Sequence, residues 1–353
     1  MRERPYTVVL IVPTGIGAAI GGYAGDALPV ARAMAEISDR LITHPNVLNG
    51  AQLYWPLKNT WYVEGYGLDR FAKGDWGLQT VHQNRVGLIL DQDIEPELIS
   101  RHLQAADATR ATLGLELTDY VITDAPLGVE LRTATSGASW GTIGNPDSLL
   151  RAAETLITQG RAEAIAVVAR FPDEIDTLVL DHYRHGKGVD PLAGAEAVIS
   201  HLIVRQFRLP AAHAPALMPL PLDVTISPRA AAEELGYTFL PCVLVGLSRA
   251  PQFILDRSRD SIWAESVDAV VIPATACGGN AILNFSGQNT PIITVTDNQT
   301  QLNVPPESLD IEAIKVNSYL EALGVLVAHR SGISINALRP QLSPISYLSQ
   351  ACE

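Results

Sequence analysis

The amino-acid sequence predicts an α/β protein, with mainly parallel sheets flanked by helices, arranged as two lobes with a cleft between them. Apolar β-branched runs alternate with amphipathic helical stretches, which is the order of a parallel sheet with crossover helices. The first run, Tyr6 to Val12, opens directly into a glycine-rich turn. The chain is 47% hydrophobic and only 18% charged, as expected for strands covered on both faces.

The elements follow from local chemistry. After the first strand, Asp26 is placed as the N-cap of a helix through about Ile37, with Val30, Met34 and Ile37 on one face. Val86 to Leu90 is a strand, followed by a helix opened by Pro96, with Leu98, Ile99, Leu103 and Ala106 inward and Gly114 as its stop. Strand Tyr120 to Thr123 and an extended segment Gly128 to Thr133 come next. Asn145-Pro146-Asp147 through Gly160 has the punctuation of a helix, and strand Ala164 to Val168 follows it. A helix spans Pro191 to about Phe207, and another runs from Ser227-Pro228 to Gly236. Phe239 to Val245, Ala269 to Pro273 and Pro291 to Val295 are strands; Asn280 to Phe285 and Asn317 to His329 are helices.

At 353 residues the chain exceeds the roughly 250–300 residues at which single cores stop growing. It divides into an N-terminal lobe, 1–210, carrying an aromatic-rich excursion at 51–85, and a C-terminal lobe, 211–353. The boundary rests on five prolines between Pro210 and Pro228, where regular structure is hard to continue. Between Tyr54 and Trp76 stand seven of the 21 aromatics, which reads either as local packing or as a pocket wall.

A net charge of −13 argues against nucleic acid or an anionic membrane as partner, since both select basic surfaces. The low charge fraction also points to a subunit interface and a homo-oligomer. Three scattered cysteines, Cys242, Cys277 and Cys352, are too few for a disulfide framework or a closed zinc site, and no histidine pair has H-x-x-x-H or H-x-x-E-H spacing. With no signal-peptide pattern at residues 1–5 and no apolar run near the ~20 residues that span a bilayer, the expectation is a cytoplasmic protein.

Three bends carry the functional reading. Thr14-Gly15-Ile16-Gly17-Ala18-Ala19-Ile20-Gly21 is G-x-G-x-x-x-G after a strand, looser than a dinucleotide fingerprint and without a matching acidic residue. It reads as a phosphate or carboxylate cradle, or as a tight packing turn. His185-Gly186-Lys187-Gly188 offers cationic side chains and backbone N–H groups to an anion, and Lys187 is one of only four lysines. Thr275-Ala276-Cys277-Gly278-Gly279-Asn280 lies at a strand's carboxyl end before a helix. There Cys277 is a candidate nucleophile or acid/base thiol, with the Gly278 and Gly279 N–H groups as an oxyanion site and Asn280 as a substrate-binding candidate. His44, in Thr43-His44-Pro45-Asn46-Val47-Leu48-Asn49-Gly50, is the first choice of base, ahead of His213 and His185, with Asn49 beside it. Asn298 and Thr300, after the strand ending at Val295, are substrate-binding candidates or turn formers.

With Val-Pro-Thr-Gly-Ile-Gly-Ala-Ala-Ile-Gly-Gly-Tyr-Ala-Gly-Asp at 12–26, Thr-His-Pro-Asn-Val-Leu-Asn-Gly at 43–50 and Ala-Cys-Gly-Gly-Asn at 276–280, the chain resembles an uncharacterised cyanobacterial family with chloroplast relatives in plants and algae. The resemblance spans nearly the full length and implies a cytoplasmic or, in plants, stromal protein. It brings no catalytic residue with it. The expectation is therefore an enzyme acting on a small anionic metabolite, a carboxylate or phosphate, in the interlobe cleft, with no cofactor specified. The alternatives are a non-catalytic nucleotide- or organic-acid-binding protein and an oligomeric scaffold. All three bends, near 17, 187 and 277, must converge for the enzyme reading to hold.

Overall fold

The computed structural model describes residues 4–48, 56–173, 177–235 and 239–347. Its strands are β1 (Thr7–Leu10), β2 (Arg40–Thr43), β3 (Thr60–Tyr62), β4 (Gly77–Gln79), β5 (Val86–Leu90), β6 (Leu117–Ile122) and β7 (Val129–Thr133). They continue as β8 (Ser139–Ile143), β9 (Ala164–Arg170), β10 (Ala211–Ala216), β11 (Gln252–Ile254), β12 (Ala269–Pro273), β13 (Ile292–Val295) and β14 (Ile314–Val316). One parallel sheet has the order β14-β13-β12-β1-β2-β3, and a second has β10-β9-β5-β6. Two antiparallel pairs, β11-β4 and β7-β8, complete the strands.

The α/β class is as expected, and parallel pairing explains the continuous apolar runs, since all four residues of β1 and all five of β12 are buried. The period of two sends Val8, Leu10 and Val271 to one apolar cluster and Val9, Val270 and Ile272 to another. Both clusters continue into the second sheet, the first through Leu88, Ala166 and Ala214, the other through Ile89, Val167 and Ala211. The core thus runs unbroken between the sheets. Nor do the sheets divide at residue 210: the first joins strands from 7–62 to strands from 269–316, and the second takes 86–216.

Several elements fall where local chemistry puts them. The helix Pro96–Leu113 ends on Gly114, whose φ of 69° is the left-handed conformation that glycine adopts freely. Strand β12 has the expected ends. Three expectations are corrected. Residues 239–245 are no strand; Leu240–Ser248 is a helix begun by Pro241 and buried nearly all round against β9, β10 and the helix Pro96–Leu113. Such a short apolar run has no periodicity to separate the two states. The proline-rich stretch starts not as a crossover but as β10, fully buried and paired with β9. Asp26 does not cap the helix Leu28–Ile37, which has no side-chain cap; it accepts from the Gly21 amide and pairs with Arg229.

Of the aromatic excursion, Tyr54 and Trp55 lie outside the described residues. The rest is packing. Trp76 meets Tyr66 edge-on and leans on Phe253, while the buried Tyr62 hydroxyl donates to the Ala211 carbonyl.

Candidate functional site

In the first sheet the chain order reverses between β1 and β12, and the crevice beyond such a reversal is where open α/β sheets bind ligands. Here the protein fills it with its own chain. The Ala19 amide donates to the Gln299 carbonyl and the Gln301 amide to the Ile16 carbonyl. Asn298, 1% exposed, accepts from the Ile20 amide at 2.8 Å and donates to the Ile20 carbonyl and the Tyr319 hydroxyl. With the Gly21 amide given to Asp26, the amides of residues 19–21 are all spent internally. No helix follows this turn directly; the next begins at Leu28. Gly15 and Gly17 have positive φ, and a side chain on either would meet Ser139 or the Gly188 carbonyl. Thr14 is half-buried in the same turn.

The bends at 17 and 187 do meet. Gly17, His185, Lys187 and Thr300 line one open cleft of about 750 Å³. His185 is hydrogen-bonded to the Asp181 carbonyl and the Thr225 hydroxyl, which fixes its ring. Thr300 shares a 2.8 Å hydrogen bond with Thr275.

The bend at 277 does not join them. Cys277 is fully buried in the apolar core, its thiol directed at the Ala274 carbonyl. Burial first, then the charge of Glu307, pushes the thiol up to about 11, opposite to what a nucleophile requires. Gly278 and Gly279 are exposed, with Gly279 the N-cap of Asn280–Gly287, and Asn280 donates to Asp69. His44 is bonded to the Val12 backbone and packs beside Gly65, and burial pushes it down to about 4. Burial thus favours the neutral thiol and the neutral imidazole over a thiolate–imidazolium pair. Asn49 and Gly50 lie outside the described residues.

Beside the cleft, sharing Gly22, Tyr23 and Tyr183 with it, lies a pocket of about 340 Å³ at the carboxyl ends of β9 and β10. That volume suits a small organic ligand. Its walls are built by distant pieces of chain. The glycine-rich turn supplies Tyr23, the helix Thr177–Arg184 supplies Tyr183, and the helix Pro228–Leu235 supplies Ala230 and Glu233. The helix Ala193–Phe207 and its approach supply Glu196 and Asp190, β10 supplies His213, and the segment after β10 adds Leu217 and Met218.

These parts are pinned together. The Tyr23 and Tyr183 rings stack at 4.6 Å, a contact worth about 0.5–1.5 kcal/mol beyond area burial. Tyr23 donates to the Tyr183 carbonyl, and Tyr183 donates to Glu233 at 2.5 Å. Arg184 clamps Glu234 through two hydrogen bonds, so the helices Thr177–Arg184 and Pro228–Leu235 form one wall.

The electrostatics are unusual. Burial pushes Asp190, Glu196 and Glu233 above the ordinary carboxylate range; Asp190 raises the other two further, and Glu233 adds to Glu196. Burial alone pushes His213 down to about 4. The Glu196 carboxylate and His213 Nε2 stand 3.7 Å apart, and these shifts favour the neutral pair over the ion pair. Burial also pushes Tyr23 up to about 12 and raises Tyr183 well above the ordinary phenol range. The pocket thus gathers buried carboxyl groups whose neutral forms are favoured above the ordinary carboxylate range, a pattern that marks candidate sites of proton chemistry.

Sequence reasoning missed Tyr23, Tyr183, Glu196 and Glu233. A signal was present for Glu196, which precedes the buried Ile199 and Ile203 by three and seven residues and so shares their face. Glu233 likewise follows the buried Ala230 by three.

The family described as "Protein of unknown function (DUF3326)" matches residues 7–339. The chain belongs to the DUF3326 family. It is 60% identical, over 100% of its own length and 99% of the relative's, to an uncharacterized lipoprotein of Synechococcus sp.. No solved structure is a significant match to this DUF3326 chain. The cytoplasmic location expected from the sequence does not stand, because a relative alike from end to end is named a lipoprotein. Among the described residues no helix is long and apolar enough to cross a membrane, and a covalently attached lipid anchors a protein without one.

Proposed function

We propose that this DUF3326 protein is an enzyme that moves protons on a small organic molecule held in the Tyr23–Tyr183–Glu233 pocket. One observation carries the reading: Glu196 and Glu233, with Asp190 beside them, face a cavity of about 340 Å³ that has apolar walls. Burial shifts all three toward the protonated form, and repulsion from Asp190 adds to this at Glu196 and Glu233. A carboxyl group that stays protonated near neutral pH is a general acid, and its partly ionised neighbour is the base. Tyr183, donating to Glu233, orients that carboxyl. The cleft lined by Gly17, His185, Lys187 and Thr300 is the approach to the pocket, and Lys187 at its rim suits an anionic end of the substrate, a carboxylate or phosphate.

The test is a metabolite screen by thermal shift on the wild type and on Ala230→Phe. Ala230 is 1% exposed and lies against the tyrosine pair, so a phenyl ring there occupies the pocket. Ligands of the pocket raise the melting temperature of the wild type by mass action and leave the variant unmoved. Turnover of those ligands, lost in Glu233→Gln, completes the case. Ligands that stabilise both proteins equally overturn it.

The second reading is a binding protein without turnover, favoured by the largely apolar wall of leucine, methionine, proline and phenylalanine. In that case Glu233→Gln alters affinity and no product forms. The lipoprotein name of the Synechococcus relative supports a lipid-anchored location for this chain as well.

A further inference from the structure

The pocket is short of positive charge. Six charged side chains line it besides His213, and the only basic one is Arg184. That guanidinium is already taken by Glu234, and Asp173 is taken by Arg170. Asp190, Glu196 and Glu233 are left, and among the described residues no lysine or arginine lies within ion-pair distance of any of them. Asp190 accepts only backbone amides, Leu192 among them. Glu233 accepts from Tyr183 and the Ala24 amide, both neutral donors. Glu196 faces only the His213 imidazole. Lys187 lines the outer cleft and not the pocket. Buried carboxyl groups are ordinarily either neutral or paired; these three are held toward the neutral form, and the cation that would let them ionise has to come from a bound molecule.

We propose that the molecule bound in this pocket carries a protonated nitrogen, an organic ammonium on an apolar or aromatic body. The ammonium sits among Asp190, Glu196 and Glu233, where three N–H donors meet carboxylate acceptors. The body lies along the Tyr23–Tyr183 stack and the Leu217–Met218 wall. This deepens the proton-transfer reading and rests on the same pocket. A positive charge arriving there draws ionisation from the carboxyl groups, so binding releases protons.

The experiment compares three probes of similar shape on the full chain by calorimetry: 2-phenylethylamine, 2-phenylethanol and 3-phenylpropionate. The amine binds at least about tenfold more tightly than the alcohol, and the carboxylate binds worst. The amine's binding enthalpy changes with the ionisation enthalpy of the buffer, reporting the released protons. Glu196→Gln and Glu233→Gln, which keep shape and lose charge, each shrink the amine's advantage, and two variants guard against one that fails to fold. Equal affinity for amine and alcohol, tighter binding of the carboxylate, or no binding of any probe overturns the ammonium assignment. Ala230→Phe separates that failure from failure of the pocket itself. If it abolishes binding of the alcohol while the amine has no advantage, the pocket stands and the ammonium falls. If all probes bind Ala230→Phe as they bind the wild type, the pocket falls too.

Discussion

The crevice beyond β1 and β12 and the pocket beyond β9 and β10 both lie at carboxyl ends of parallel strands, yet the glycine-rich amides of the first are closed off by the chain itself while the carboxyl groups of the second face an open cavity. In the first, Asn298 through Gln301 fold back on the glycine-rich turn and use up its amides. In the second, side chains from distant segments of the chain face a space that none of them fills. Glycine content marked the closed crevice and carboxyl groups mark the open one. A backbone able to approach a ligand closely is equally able to approach its own chain, so glycine reports closeness and not vacancy.

Substitutions in the two places sharpen this contrast. The largest effect belongs to Gly22→Ala, because a methyl group there runs into the Ala18 carbonyl oxygen. The expected loss of stability is about 3 kcal/mol or more, measured by urea unfolding, and a neutral result would show the turn to be looser than described.

Acid comes next, and it acts on the open pocket. His213 is held neutral, with its pKa lowered from 6.5 to about 4 in the folded state. The unfolded chain therefore binds the extra proton between those values, and stability is full above about pH 6.5 and lost as pH falls toward 4. For this 7% exposed residue the loss is on the order of 3 kcal/mol. His213→Asn should flatten that limb of the stability profile. Glu233 has the opposite sign. Its pKa is raised, so its neutral form is accommodated at low pH and a penalty accrues as pH rises above the ordinary carboxylate range. Glu233→Gln should lose that alkaline decline, and a parallel decline in both proteins would contradict the assignment.

In the closed crevice Asn298→Ala strands the Ile20 amide and carbonyl, for an expected cost of about 2 kcal/mol. Ligand affinity should survive wherever folding does. The smallest effect is that of Cys277→Ser, about 1 kcal/mol in stability, with ligand binding and turnover unchanged. Loss of turnover at full stability would return the thiol to the mechanism.

What was legible in the sequence follows the same line. Helix ends punctuated by Pro96 and Gly114, and strands as apolar as 269–273, were readable because a few adjacent residues decide them. The helix Leu240–Ser248 was not, since burial on all sides erases the periodicity that separates helix from strand. Of the candidate site, Gly17, His185 and Lys187 could be marked one by one, but their meeting is made by the fold and by no local signal. The pocket was not legible. Tyr183 and Glu233 are 50 residues apart and joined by one hydrogen bond, and each alone reads as an ordinary polar position on a short helix. Cys277 misled because a thiol before a helix looks alike whether it faces a ligand or the apolar core.

The pairing of β1 with β12 joins Val8 to Ala269, which matters while the polypeptide is being made. At about 5–20 residues per second, the partner of the first strand leaves the ribosome tens of seconds after that strand does. For that interval one edge of Thr7–Leu10, wholly apolar but for Thr7, waits without its neighbour. The slow step in biogenesis should then be completion of this sheet, and the waiting strand is the place where a chaperone would have most to shield.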